Sequence, residues 1–237
     1  SSFSGDSIRI AGPTRVVARA TSAGTWSGPA DVVFVPDVPV SLRVTEVMYH
    51  PLPAVGESPY SADDFEFLEI ENIGTSTVSL LGVRLTAGVI FNFTSGQVTE
   101  LAPGERVVVV ENLAAFASRY ETSEMKVAGQ YAGKLENAGE LIRLEDGRGT
   151  LIQEFFYLER WYPETDGDGP SLHIVNSSLP VNTWGQASSW TSSVDFDGSP
   201  GAAEPSDPAG WQVPGDINQD AILDVSDAVS LLLHLFS

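Results

Sequence analysis

The fold of this 237-residue chain is decided by the stretch Asp64-Phe-Glu-Phe-Leu-Glu-Ile-Glu-Asn72. Aromatic and aliphatic residues alternate with carboxylates over most of it, which is the two-residue period of a β-strand. Phe65, Phe67 and Ile70 are expected to face a core, while Glu66 faces solvent. The alternation breaks at Leu68-Glu69, which indicates either a β-bulge or a strand that is buried on both faces.

Further short apolar segments surround this stretch, and turn signals such as Asn137-Ala-Gly139 separate them. Asn112 can cap one short helix near Leu113–Tyr120, with Leu113, Phe116 and Tyr120 on one face. We therefore predict an all-β fold in which two antiparallel sheets pack together. The predicted strands are Leu42–Tyr49, Phe65–Asn72, Val78–Leu80, Val83–Thr86, Arg106–Glu111, Leu141–Glu145 and Leu151–Tyr157.

Several further motifs follow one another along the chain, besides the opening stretch. They are Thr45-Glu-Val-Met-Tyr-His-Pro51, Leu80-Leu-Gly-Val-Arg-Leu85, Leu101-Ala-Pro-Gly-Glu-Arg-Val-Val-Val-Val110, Gly133-Lys-Leu-Glu-Asn-Ala-Gly-Glu-Leu-Ile-Arg-Leu144, Asp146-Gly-Arg-Gly-Thr-Leu-Ile-Gln-Glu-Phe-Phe-Tyr157, Asp166-Gly-Asp-Gly-Pro-Ser-Leu172 and Gly198-Ser-Pro-Gly-Ala202. The order of these motifs resembles the bacterial lamin tail domain family. The resemblance implies an immunoglobulin-like β-sandwich over residues 39–205. It also implies no catalytic machinery and a place as an accessory module in large secreted proteins.

Residues 1–38 are interpreted as the end of a preceding β domain, and Pro36-Asp-Val-Pro39 as a stiff hinge. The segment Thr14–Ala20 is expected to place Arg outward and Val and Ala inward. The string that starts at Val16-Val-Ala-Arg-Ala20 and ends at Val35 resembles the last strands of the immunoglobulin-like domain after the catalytic domain of chitobiase-type enzymes. The alternative is an N-terminal extension that adds strands to the next domain.

The end of the chain carries the most specific chemical motif. Residues 206–214 are interpreted as a linker, and residues 215–237 resemble a single dockerin type I repeat, a small EF-hand-like loop and helix. The resemblance implies a twelve-residue calcium loop from Asp216, and calcium prefers six to eight oxygen ligands. The implied metal ligands are Asp216, Asn218, Asp220, Ile222 through its carbonyl, Asp224 and Asp227. The alternative is an acidic linker with an amphipathic tail.

The amino-acid composition limits the classes of partner that this chain is expected to bind. The chain has 32 acidic and 12 basic residues, a net charge of −20, and no Cys. Such a charge argues against nucleic acid and against anionic membrane surfaces, and no apolar run is long enough for membrane insertion. It suits a secreted or cell-surface protein that binds a cation or a protein partner, although solubility alone would also explain it.

Catalytic motifs are absent from the sequence, and we expect no enzyme activity. Glu46, Glu66, Glu69 and Glu71 could contain a glycosidase pair, but a solvated face or a cation site at a sheet edge suits them better. The turn Asp166-Gly-Asp-Gly169 is either a metal loop or, in preference, a flexible turn. A carbohydrate-binding accessory module is the alternative function, and it requires an exposed strip made of Trp161, Tyr162, Trp184 and Trp190.

Overall fold

A computed structural model describes residues 7, 9, 10 and 12–204 of the chain. These residues form sixteen strands and one α-helix. The strands are β1 (Thr14–Ala18), β2 (Thr21–Ser22), β3 (Thr25–Trp26), β4 (Ala30–Phe34), β5 (Leu42–Met48), β6 (Phe67–Asn72), β7 (Val78–Ser79), β8 (Arg84–Ala87), β9 (Phe91–Asn92), β10 (Glu100–Leu101), β11 (Arg106–Val110), β12 (Val127–Gln130), β13 (Leu141–Glu145), β14 (Leu151–Phe156), β15 (Leu172–Ile174) and β16 (Trp190–Ser192). The helix α1 spans Leu113–Arg119, and short 3-10 helices lie at Asp63–Phe65, Phe93–Ser95, Glu159–Trp161, Pro163–Thr165, Val181–Thr183 and Ala187–Ser189.

Two sheets enclose the main core, as the alternation of short strands and turns predicts. One sheet has six strands in the order β12-β11-β6-β5-β15-β16, and the other has four in the order β14-β13-β8-β9. Leu68, Ile70 and Val44 of the first sheet share a hydrophobic core with Ile142 and Leu144 of the second. The expectation of purely antiparallel sheets is wrong in one place, because β12 runs parallel to β11.

The deciding stretch is buried on both faces, which was one of the two alternatives. Leu68 and Ile70 point into the main core, whereas Phe67 belongs to a second apolar cluster on the outer face of the same sheet. The expectation that Glu66 faces solvent is wrong, since only 1 % of its surface is exposed. The break in register lies instead in the partner strand β5, at Thr45.

Helix α1 covers the part of that outer face where Phe67 lies. The Asn112 side chain accepts hydrogen bonds from the amides of Ala114 and Ala115 at 3.0 and 3.2 Å, which confirms it as the N-cap. Phe116 packs edge-on against Phe67 with ring centroids 5.9 Å apart. Leu113 does not share this buried face, contrary to the expected stripe, because it is partly exposed.

The N-terminal strands form a hairpin of their own. Strands β1 and β4 pair with each other, and β2 and β3 pair at its tip, so none of them joins a sheet of the sandwich. The interpretation of residues 1–38 as the end of a preceding domain stays a prediction. Arg15 is exposed as expected, but Val17 and Ala18 are exposed too, which corrects the expected inward face. After the hairpin, Asp37 forms an ion pair with Arg148.

Glycine at position 139 allows the turn between the 133–139 loop and β13. Its φ is +109°, and a Cβ added there would lie 2.2 Å from the carbonyl oxygen of Tyr157. We expect Gly139→Ala to lower the free energy of unfolding by more than ~2 kcal/mol, because a backbone clash adds to the strain of positive φ. Denaturant unfolding measures this loss.

The matched control is Gly104→Ala. Gly104 also has a positive φ, +76°, but an added Cβ would meet nothing within 4 Å. This variant should therefore lose only ~1 kcal/mol, the cost of backbone strain alone. Equal losses in the two variants would contradict the prediction.

Candidate functional site

The predicted calcium ligands lie outside the described residues. This applies to Asp216, Asn218, Asp220, Ile222, Asp224 and Asp227, so the calcium loop stays a prediction. Within the described part of the chain, no group of three or more His, Asp or Glu residues is arranged to hold a metal ion. The turn at Asp166 fits this, because Asp166 Oδ1 lies 2.6 Å from His50 Nδ1 and is paired with that ring.

A row of buried polar side chains crosses the outer face of the six-stranded sheet. Glu69 of β6, Glu46 of β5 and His173 of β15 lie directly opposite one another across the three strands. We call these three residues the polar row. They point outward because their neighbours Leu68, Val47 and Leu172 point into the main core. Both glutamates are completely buried, and His173 is 8 % exposed.

The cover over the polar row is an irregular segment after β16, residues 197–204, which we call the strap. The Ser199 amide donates to Glu46 Oε1 at 2.9 Å, and the Gly201 amide donates to Glu69 Oε2 at 2.8 Å. At its start, Asp197 accepts hydrogen bonds from Arg119 Nη1 at 2.9 Å and from the Tyr120 hydroxyl at 2.7 Å. The strap is therefore tied to β5, β6 and the end of α1.

Close contact between strap and sheet depends on glycine. Gly198 has a φ of +77°, and a Cβ there would lie 2.3 Å from Glu46 Oε1. Gly201 has a φ of +82°, and its Cβ would lie 2.6 Å from Met125 Cγ. A side chain at either position would have to displace the carboxylate or the methionine that it meets.

The charges beneath the strap are not balanced evenly. Arg106 Nη2 donates to Glu71 Oε2 at 2.8 Å, and Arg106 Nε lies 3.1 Å from Glu69 Oε1. Among the described residues no cation pairs with Glu46, whose Oε1 accepts a hydrogen bond from the Ser171 hydroxyl at 2.5 Å. Burial, and secondarily the charge of Glu69, raises the pKa of Glu46 to about 8.

The other two members of the row respond to burial in opposite directions. Burial raises the pKa of Glu69 to about 7, although its hydrogen bond from Thr45 and the charge of Arg106 act against the rise. Burial lowers the pKa of His173. Among the described residues, Glu46 Oε2 and His173 Nε2 are buried without a hydrogen-bond partner. The row can hold a proton, but it is not open to a substrate.

This geometry corrects the expected setting of the four glutamates. Glu46, Glu66, Glu69 and Glu71 lie neither on a solvated face nor at an exposed sheet edge, because each is at most 8 % exposed. The sequence did not identify the strap or its partner His173. Its only signal was the spacing of Gly198 and Gly201 around Ser199-Pro200.

The aromatic strip required for carbohydrate binding does not form. Trp184 and Trp190 are completely buried. Trp184 Nε1 donates to the Val44 carbonyl at 2.9 Å, and Trp190 Nε1 donates to the Trp184 carbonyl at 2.7 Å. Trp161 and Tyr162 are partly buried against the same core. These side chains stabilise the sandwich and cannot offer a flat face to a sugar.

A groove of about 600 Å³ lies where the hinge meets the sandwich. Apolar residues that line it include Val35, Val40, Val78 and Val83. Glu100, Asp146 and several Ser and Thr residues line it as well, so the groove presents both polar and apolar groups.

Glu66 is another buried carboxylate, and its ionisation makes the stability of the fold depend on pH. Its Oε2 accepts from the Leu135 amide at 2.8 Å and from the Tyr131 hydroxyl at 3.0 Å, and burial raises its pKa to about 8. A pKa above that of the unfolded chain stabilises the fold at low pH, and this contribution is lost as pH rises through about 8.

Glu66→Gln should remove this loss, because glutamine has no proton to release. We expect the free energy of unfolding of the variant, relative to wild type, to rise by at least ~1.4 kcal/mol between pH 6 and pH 9, the equivalent of one pKa unit. Denaturant unfolding at both pH values measures it. Glu124→Gln, at an exposed position, is the control; a Glu66→Gln profile parallel to wild type would contradict the assignment.

Comparison with known proteins agrees with this architecture. A family model, the Lamin Tail Domain, matches residues 37–159, which is more than half of the chain. No curated protein and no solved structure matches. Among the described residues, no helix has the length and hydrophobicity needed to cross a membrane. Strands β5–β14 and helix α1 all lie inside the matched region. The chain therefore belongs to the lamin tail domain family.

Proposed function

We propose that this chain is a non-catalytic interaction module of a larger secreted bacterial protein, with a calcium-binding loop near its C-terminus. The observation that carries the first part is the burial of the polar row. Its carboxylates and its histidine are buried, and the two carboxylates accept hydrogen bonds from backbone amides of the strap. A hydrolytic site needs such groups open to substrate and to water.

Exposed apolar side chains on the hairpin support an interaction role. Trp26 is 62 % exposed and Val17 is 56 % exposed, and Val32 and Phe34 are also uncovered. A two-stranded hairpin is marginally stable by itself in water. We place the contact with a neighbouring β domain on this hairpin, in agreement with the interpretation of residues 1–38 as the end of such a domain.

The calcium-binding part of the proposal rests on the sequence of the loop. Asp216, Asp220, Asp224 and Asp227 bring four carboxylates into twelve residues, and Asn218 adds an amide oxygen. Without a cation these carboxylates would repel one another. Ala221 stands where the repeat usually has Gly, which favours weak binding over tight binding. Weak sites are typical of calcium-rich surroundings outside the cell, which supports secretion.

Titration calorimetry with calcium on the full chain tests the proposed loop. The wild type should bind one calcium ion with a dissociation constant of ~10⁻⁵ to 10⁻³ M. Asp216→Ala should abolish the heat, because it removes the first ligand of the loop. Glu124→Gln changes an exposed carboxylate of the sandwich and should leave binding unchanged. Absence of calcium-dependent heat in the wild type, or equal heat in Asp216→Ala, would show that the loop is only an acidic tail.

A further inference from the structure

We propose that the strap is a pH-dependent latch, closed over the six-stranded sheet while Glu46 and Glu69 share at least one proton, and released when both are ionised. This inference is independent of the proposed calcium loop. It concerns only described residues and the way in which the strap is attached to the sheet.

The attachment places both latch points on carboxylates. The Ser199 amide is held by Glu46 and the Gly201 amide by Glu69, with Pro200 buried between them. Ser199 Oγ also donates to Glu204 Oε2 at 2.7 Å, which folds the end of the strap back on itself. Any change in the charge of the two glutamates therefore acts directly on the strap.

The fully ionised pair lacks compensation. Arg106 is shared between Glu69 and Glu71, so it offers no hydrogen bond to Glu46. Glu46 Oε2 is buried and has no partner among the described residues. A buried carboxylate oxygen without a donor is costly, and two adjacent carboxylates repel each other.

Other titratable groups around Glu46 and Glu69 also affect how stable the closed strap is at a given pH. His173 Nε2 lies 4.0 Å from Glu204 Oε2, so protonation of His173 would strengthen the closed state at acidic pH. The charged and titratable groups packed around the pair are Arg43 of β5, Glu71 of β6, Arg106 of β11, Arg119 and Tyr120 at the end of α1, His173 of β15, and Asp197 and Glu204 of the strap.

The direction of the pH effect follows from burial, which outweighs the amide hydrogen bonds from Ser199 and Gly201 that by themselves favour the ionised carboxylates. Burial raises the pKa of both carboxyl groups, to about 8 for Glu46 and about 7 for Glu69. The closed strap thus favours the protonated pair and loses this contribution as pH rises from about 7 through about 8. Release is expected to be local, because no residue of the strap belongs to the main core.

Hydrogen exchange of individual amides in the full chain tests the latch, with rates corrected for the intrinsic effect of pH. Protection of the Ser199 and Gly201 amides should fall at least tenfold between pH 6.0 and pH 8.5. The Phe93 amide, which donates to the Val83 carbonyl at 3.0 Å, is the internal reference and should keep its protection. Unchanged protection at Ser199 and Gly201, or an equal loss at Phe93, would overturn the proposal.

Two variants separate protonation from other effects of pH. Glu46→Gln keeps an acceptor for Ser199 but cannot ionise, so it should retain strap protection at pH 8.5. Glu69→Gln removes the other charge and should have the same effect, which provides a second test if the first variant folds poorly. Glu124→Gln should behave like wild type. Loss of protection at pH 8.5 in both neutral variants would refute the latch.

Discussion

The central constraint in this structure is that strand β6 has no side exposed to solvent. Its inner face packs in the main core, and its outer face lies under α1 at one end and under the strap at the other. Every polar residue on the strand must therefore find a partner inside the protein. Glu71 is paired with Arg106, and Glu69 is paired with Arg106 and with the strap. One of the 12 basic residues of this acidic chain therefore lies at this position.

The acidic residues that give the chain its net charge of −20 lie in two different environments. Most acidic residues keep the surface solvated, but Glu46, Glu66 and Glu69 lie where ionisation is unfavourable. Lamin tail domain membership accounts for the β-sandwich, yet it does not dictate this arrangement, because the family match ends at residue 159 and the strap begins at residue 197. The part of the cover that lies over the polar row thus comes from beyond the matched region.

Sequence patterns predicted the local elements well. The limits of Leu141–Glu145 and the cap at Asn112 follow from short-range rules, and the structure agrees with them. Alternation in the deciding stretch could not reveal which face would later be covered, because the residues that cover Glu66 and Glu69 lie 65 to 132 positions away. For the same reason Glu66 was expected in solvent, and Trp184 and Trp190 could be mistaken for a surface strip. Periodicity reports the neighbours of a residue along the chain, whereas burial depends on distant contacts.

The long separation between the strap and its partners also sets an order of assembly. Ser199 binds Glu46 across 153 positions of sequence, and Gly201 binds Glu69 across 132. Contacts of such separation form after the local pairs, since the entropy of loop closure must first be overcome. During synthesis, β5 and β6 leave the ribosome well before the strap, at ~5–20 residues per second. Glu46 and Glu69 consequently wait for the segment that covers them, and we expect their dehydration to belong to the last stage of folding.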